Sequence, residues 1–260
     1  MSSAFHAALF AFPDTQEGHP ALSVVVPARN EEGNLKPLVQ EIAEALQGRA
    51  FEILVVDDGS TDATWDRLCA LKAEFPQLRP LRHQVGAGQS RALRTGVLAA
   101  KAPVIATLDG DRQNVPADIP ALLEMLTRAS APAHLAMVGG IRQRRKDTAR
   151  KRVAAKLATW FRRAVMKDDC ADTGCGLKLF RREAYLRLPF FDHQHRYLPI
   201  LMVREGFLVE YAPVGHRERV VGRSNYTNLQ RAAVAVRDVM GVLWLQSRAN
   251  SPERVEEFEG

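Results

Sequence analysis

Cysteine is scarce: Cys69, Cys170 and Cys175 are the only three in 260 residues. So odd and sparse a set excludes a disulfide framework and points to a reducing compartment, the cytosol. Long apolar runs are missing as well. The best candidate, Val239 to Leu245 behind Arg237-Asp238, is seven residues long, whereas a spanning helix needs about 20. The patchily apolar start, Met1 to Phe12, has no Lys or Arg ahead of it and no small-residue cleavage site, so it does not read as a signal peptide. The expectation is a chain that does not cross a bilayer, although it could lie on one. Glycine fingerprints are also lacking. Pro27 and Asn30 stand where a dinucleotide-binding turn needs glycines, Arg91 replaces the third glycine after Gly86-Ala87-Gly88, and no phosphate-binding Lys-Ser or Lys-Thr loop occurs. A dehydrogenase is thereby excluded.

What is present describes a folded, basic protein. Hydrophobic residues at 46% and charged residues at 25%, with 14 Pro and 17 Gly, are ordinary for a globular chain, and the length suits one large domain. A net charge of +6 and a pI near 9.5 favour an anionic partner: nucleic acid, a membrane surface or a phosphorylated substrate.

Apolar, β-branched runs at 22–26, 51–56, 78–82, 104–108 and 135–138 predict strands, and amphipathic stretches at 35–46, 63–75, 90–100 and 119–127 predict helices between them. This alternation predicts an α/β fold, a mostly parallel central sheet with helices on both faces. Ligands then bind beyond the carboxyl ends of the strands. Three of those ends are polar: Pro27-Ala28-Arg29-Asn30-Glu31-Glu32, Asp57-Asp58-Gly59-Ser60-Thr61-Asp62 and Asp109-Gly110-Asp111-Arg112-Gln113. Each alone reads as turn punctuation or a helix cap. Together, at successive strands of one sheet, they read as a site.

Asp109 and Asp111, one residue apart on an extended strand end, would project to one side and share a cation. All-oxygen ligands suit Mg²⁺ or Mn²⁺, and Gln113 could add another oxygen. Asp57 and Asp58 close their strand with no cationic neighbour in sequence, which suits hydrogen bonding to a base edge or ribose. Arg112 places a positive charge inside the acidic motif, to contact a phosphate or to face solvent.

Val24 to Glu31, Val55 to Asp62, Gly88 to Gly96 and Asp109-Gly110-Asp111 resemble glycosyltransferase family 2, with its GT-A fold. Ala171 to Arg182, followed by Arg219-Val220-Val221-Gly222-Arg223-Ser224, is similar to the dolichol-phosphate mannose synthase branch, which includes bacterial polyprenyl-phosphate sugar transferases. The resemblance implies an inverting, metal-dependent transfer from a GDP- or UDP-linked sugar to a polyprenyl monophosphate at the cytoplasmic membrane face. It implies a nucleotide site of Pro27, Ala28, Asn30, Glu31, Asp57, Asp58, Gly88, Arg91, Asp109 and Gly110, and a metal site of Asp109, Asp111 and Gln113. It places the acceptor phosphate on Arg142, Arg152, Lys156, Arg219 and Ser224, and gives catalytic parts to Asp109, Asp111, Arg219 and Asp172. Asp172 could touch sugar hydroxyls, or act as base if the acceptor were a hydroxyl; an acceptor phosphate arrives ionised and needs none. The Gln-x-x-Arg-Trp signature of processive synthases is absent, so a polymer product is not expected.

Between Arg142 and Lys167 stand eleven basic residues against Asp147 alone, with Val153, Leu157, Trp160, Phe161, Ala164 and Val165 at helical spacing. This reads as a solvated face, a core helix or an interfacial helix on anionic lipid. A further amphipathic helix over 228–246 presents Met240, Leu243 and Trp244. The expected organisation is an N-terminal extension (1–20), a catalytic domain (21–226), a C-terminal interfacial helix (227–248) and an acidic tail (249–260), with attachment peripheral, through a membrane partner subunit or in a homo-oligomer. His193 and His195 are too few for a metal site and suggest a structural or acceptor-side role. Cys170 and Cys175 read as packing thiols. Nucleic-acid binding is the rival class for a basic chain, but no recognised motif supports it and an acidic cluster would repel a phosphate backbone. A non-catalytic nucleotide-sugar sensor is the other alternative.

Overall fold

The structure, a computed structural model, describes residues 19–143, 172–218 and 228–249. Its elements run β1 (Leu22–Ala28), α1 (Leu35–Ala45), β2 (Phe51–Asp58), α2 (Thr64–Glu74), β3 (Leu78–His83), α3 (Gln89–Ala99) and β4 (Val104–Thr107). They continue with α4 (Ile119–Thr127), β5 (Leu135–Arg142), β6 (Lys178–Arg181), α5 (Arg182–Arg187), α6 (Leu198–Arg204), β7 (Leu208–Val214) and α7 (Asn228–Ser247). The seven strands form one sheet in the order β3-β2-β1-β4-β6-β5-β7. Strands β3, β2, β1 and β4 are parallel, β5 is parallel to β7, and β6 is antiparallel to β4 and β5.

Alternation along β1 divides the core. Leu22, Val24 and Val26 face one side, where Leu35, Leu38, Val39 and Ile42 of α1 recur at the spacing of a helix face and Ile119, Leu122 and Leu126 of α4 join them. Val25, with Leu54 and Ile105, faces the other side against Leu93 and Val97 of α3, Leu198, Leu201 and Met202 of α6 and Val242 of α7. Both faces are therefore covered, which is why the central strands read as continuous apolar runs.

The expected strands and helices that fall on described residues are present, with edges moved by a few residues. Helices α5 and α6 and strands β6 and β7 are additions. Strand β6 is only four residues long, and β7 is a half-exposed edge strand whose Pro213 is tolerated because an edge position can dispense with a ladder donor. Strand β5 continues through Gly139-Gly140 to Arg142, beyond the expected end at Val138. The C-terminal helix packs Val239, Val242, Leu243 and Leu245 into the second core cluster, while Val236, Met240 and Trp244 stay outside. Leu243 thus parts from the apolar surface expected to include it. Among the described residues no helix is long and apolar enough to cross a membrane. The basic stretch 144–171, the segment 219–227 and both chain ends lie outside the described residues.

Close packing of α3 on the sheet depends on Gly96, where a Cβ would collide with Val25 Cγ1 and lie 3.3 Å from Val56 Cγ2. Neither branched neighbour can yield inside a two-sided core. Gly96→Ala is expected to destabilise the chain by about 1–3 kcal/mol, read as a lowered urea midpoint with an unchanged slope.

Candidate active site

The loops after β1 and β2 are joined to each other before any ligand arrives. Asn30, at φ 56°, donates its backbone N–H to Ser60 Oγ (2.9 Å) and accepts the Thr61 N–H on Oδ1 (2.9 Å). Glu31 N–H donates to Thr64 Oγ1 (2.9 Å), and Asn34 Nδ2 donates to Glu31 Oε2 (2.6 Å). The side chain of Asn30 therefore serves the loop pair. The acid turn lies against the same place: a Cβ at Gly110 would sit 3.2 Å from Pro27 O and 3.4 Å from Glu31 Cγ. Pro27, Ala28, Glu31 and Gly110 thus lie together, with Asn30 in the same loop.

Asp57 and Asp58 differ from each other and from expectation. Both have cationic or ring partners supplied by β3, which pairs with β2 in parallel register. Fully buried Asp57 accepts the Ser60 N–H on Oδ1 (3.0 Å), and its Oδ2 lies 3.3 Å from Arg82 Nε without a hydrogen bond. A buried oxygen in that state is available to a ligand donor. Asp58 is instead fully engaged: Ala87 N–H and His83 Nδ1 donate to Oδ1 and Gly88 N–H to Oδ2, each at 2.8 Å. Burial alone would raise its carboxyl, but these donors outweigh it and hold the group below the usual range. Asp58 therefore shapes the turn that starts α3, including Gly88. Arg91, one helical turn on, stacks on Phe190 with its guanidinium carbon 3.9 Å from the ring centroid.

Strand β4 ends at Thr107, so Asp109 and Asp111 do not share an extended strand; a turn brings them together. Gln89 Nε2 donates to Asp109 Oδ1 (2.8 Å), and Asp109 N–H donates to Asn114 Oδ1 (3.1 Å). Gly176 presses on the same carboxylate, since a Cβ there would collide with Asp109 Oδ2. Asp111 Oδ1 accepts the Gln113 N–H (3.1 Å), and Gln113 Nε2 donates to Arg217 O (3.4 Å), which leaves Oε1 as the end a cation would take. Arg112, at φ 61°, turns away from the acids and donates to Glu41 Oε1 (2.5 Å). Its guanidinium is half-buried in that pairing rather than facing open solvent.

Arg142 and Asp172 hold each other. Nε donates to Oδ2 and Nη2 to Oδ1, both at 2.7 Å, and Arg142 N–H adds a bond to Oδ2 (3.2 Å). This bidentate pairing occupies both carboxylate oxygens suggested for a base. Buried Lys178 donates to Cys175 O. His193 and His195 take different partners. His193 Nδ1 lies 3.0 Å from Asp238 Oδ2 of α7, without a hydrogen bond. His195 accepts on Nδ1 from Ser90 Oγ (2.7 Å); burial, with Arg196 and Lys178 near, pushes its pKa down to about 3, so it is neutral. Arg152, Lys156, Arg219, Ser224 and Cys170 lie outside the described residues. Sequence reasoning missed Glu41, Arg82, His83, Gln89 and Asn114; Gln89 stands inside the Gly88–Gly96 stretch and Asn114 directly follows Gln113, whereas only pairing and packing bring Glu41, Arg82 and His83 to the site.

Burial, then the charge of Asp111, raises the Asp109 carboxyl above its ordinary 3.8, and the opposing pull of Lys178, Arg142 and Gln89 does not restore it. Two like charges so placed fit a hard divalent cation. Among the described residues no group of three His, Cys, Asp or Glu could hold a metal, so the acid pair and Gln113 would leave much of an octahedral shell to water and substrate oxygens, as Mg²⁺ prefers. A carboxyl raised on folding costs stability once the pH exceeds its unfolded value, and the cost fades as the pH falls back. Asp109→Asn is therefore expected to raise Tm at neutral pH, the gain shrinking toward pH 3.8, as read by thermal unfolding without metal.

Comparison with known proteins agrees with this arrangement. The model of glycosyl transferase family 2 matches residues 23–188. A relative from Rhizobium johnstonii, named dodecaprenyl-phosphate galacturonate synthase, is 31% identical over 229 residues, covering 86% of this chain and 66% of its own length. The chain thus spans just under two thirds of that relative. A structure of glucosyl-3-phosphoglycerate synthase from Mycobacterium tuberculosis with Mn²⁺, UDP and glucosyl-3-phosphoglycerate superposes with a TM-score of 0.66 at 21% identity, covering 89% of this chain and 81% of that one. Another of that enzyme, with Mg²⁺ and UDP, gives 0.66 at 20% identity over 89% and 81%. At such identity these structures speak for the fold, GT-A. With a family match over most of the chain and the polar strand ends gathered in one place, the protein belongs to glycosyl transferase family 2.

Proposed function

We propose that this glycosyltransferase moves a sugar from a nucleotide-diphosphate donor, UDP- or GDP-linked, to a polyprenyl monophosphate, with inversion at the anomeric carbon. The observation that carries the reading is the acid pair of half-buried Asp109 and buried Asp111 after β4, together with the buried Asp57 Oδ2, which has Arg82 near but no hydrogen bond. Asp57 accepts from the nucleobase, Pro27, Ala28 and Glu31 wall the nucleoside, and Asp109, Asp111 and Gln113 hold Mg²⁺ or Mn²⁺ against the diphosphate. A bound divalent cation supplies charge neutralisation as the leaving diphosphate departs. Arg219 adds positive charge there, and Arg152, Lys156 and Ser224 receive the acceptor phosphate. The Arg142–Asp172 pair supports a phosphate acceptor over a hydroxyl, because it occupies the carboxylate that a hydroxyl would need as base. The relative named for a dodecaprenyl-phosphate product supports the same choice.

The test is a donor screen, UDP-galacturonate included, with short polyprenyl phosphates and Mn²⁺. Wild type is expected to transfer to the lipid phosphate, and Asp111→Ala to lose about 100-fold or more in kcat. Equal turnover rejects the metal assignment, and transfer to free sugars alone rejects the acceptor.

A lipid acceptor places the protein peripherally on the cytoplasmic face of a membrane. The outer side of α7 supports this: Val236 (60% exposed), Met240 (59%) and Trp244 (61%) recur every fourth residue, exposed Arg237 and Arg248 flank them, and Asp238 turns inward to His193. An apolar stripe with Trp and basic flanks suits an anionic interface. Met240→Ser with Trp244→Ser is expected to reduce co-sedimentation with phosphatidylglycerol vesicles while leaving Tm within a few degrees.

A further inference from the structure

The acid turn is held in place by a residue that touches none of the reacting groups. Glu41 lies in the middle of α1, whose Leu38, Val39 and Ile42 are fixed in the core. Its Oε1 accepts from Arg112 Nη2 (2.5 Å) and its Oε2 from Arg217 Nη1 (2.6 Å). Arg112 stands between Asp111 and Gln113 in the left-handed region, at φ 61°, where a residue other than glycine persists only if its surroundings hold it. Arg217 meets the same turn through its backbone: its N–H donates to Gln113 O (2.9 Å) and its carbonyl accepts from Gln113 Nε2 (3.4 Å). Asn114 and His216 form a β-bridge beside them. One helix carboxylate thus closes a ring through Arg112, Gln113 and Arg217.

We propose that Glu41 is a positioning residue for cation binding: by engaging Arg112 and Arg217 it fixes the Asp111-Arg112-Gln113 turn and keeps Arg112 from competing with the cation for the acid pair. This rests on the metal-dependent reading above. An isolated surface ion pair contributes little, but this carboxylate is half-buried and shared by two guanidiniums, with each oxygen bound to a different one. Without it two cations face each other across an empty acceptor. The guanidinium nearest in sequence to the acids is then free to swing toward Asp111, where it opposes a divalent cation by charge. The helix itself loses nothing essential, since its apolar face holds it to the sheet. The expected signature is a weakened metal affinity with little change in kcat once metal is saturating.

The experiment titrates Mn²⁺ into the full chain with saturating UDP, following free Mn²⁺ by electron paramagnetic resonance, and records Tm and the metal dependence of turnover. Glu41→Gln is expected to weaken Mn²⁺ binding by about tenfold, the lower end for residues that orient metal ligands, with kcat at saturating Mn²⁺ within about twofold. Arg112→Gln added to Glu41→Gln is expected to recover most of the lost affinity, because it removes the competitor. A lower Tm for Glu41→Gln with unchanged Mn²⁺ affinity marks an ion pair of stability alone and overturns the proposal. Should the double variant bind no better than Glu41→Gln, competition by Arg112 is overturned. Loss of Mn²⁺ binding in Asp111→Ala beside unchanged binding in Glu41→Gln sinks only this proposal; unchanged binding in both sinks the metal assignment beneath it.

Discussion

Two carboxylates, Asp109 and Asp111, are brought together inside the protein, and the Asp109 carboxyl stays raised there. Removing a charge from water is costly, and a second like charge beside it adds to the cost. A fold optimised for stability alone would place an arginine between them. The one arginine available in the motif, Arg112, is turned backwards to Glu41, and Lys178 and Arg142 pull on Asp109 without neutralising the raised carboxyl. Their hydrogen bonds go to Cys175 O and to Asp172. At Asp109 the described surroundings thus maintain a deficit of positive charge, a condition that favours binding of a small hard cation.

Maintaining that deficit requires rigidity, and the hydrogen bonds between loops supply it. Asn30 with Ser60 and Thr61, and Glu31 with Thr64, join the β1 and β2 loops. Asp58 spends its whole carboxylate on three donors of the β3–α3 connection. From the first residue of α3, Gln89 reaches Asp109. The chain of contacts runs from one strand end to the next, so the oxygens meant for a ligand are positioned before it arrives and binding need not bear the entropy of ordering them.

The parallel half of the sheet was legible because strands covered on both faces have no choice but to be apolar: Val24 to Val26 and Ile53 to Val56 announce themselves. The polar strand ends were legible for the complementary reason, since runs rich in Asp, Asn, Glu and Gly cannot continue such a strand far. Strand β7 was not, because an edge strand such as Leu-Val-Glu-Tyr-Ala-Pro-Val is half-exposed and carries a proline. Within the site, residue identities were readable but roles were not. Asp57 and Asp58 look alike in sequence, yet Arg82 and His83 arrive beside them only through the β2–β3 register. The acid pair was placed on a strand that stops at Thr107, because a turn and a strand end have the same composition when both end in Asp-Gly-Asp.

The positive charge of the chain acquires a different meaning once it is located. Residues 144–171 carry ten basic residues and three acids, a net +7 against +6 for the whole protein, so the remainder is close to neutral. Around the site the described arginines are largely engaged by acids: Arg112 and Arg217 by Glu41, Arg142 by Asp172, and Arg82 beside Asp57. A basic protein that binds nucleic acid spreads unpaired cations over a face to follow a phosphate backbone. Here one contiguous stretch of sequence holds the surplus. A concentration of this kind matches a compact anionic group, such as the phosphate end of a lipid, or the headgroups of a surface.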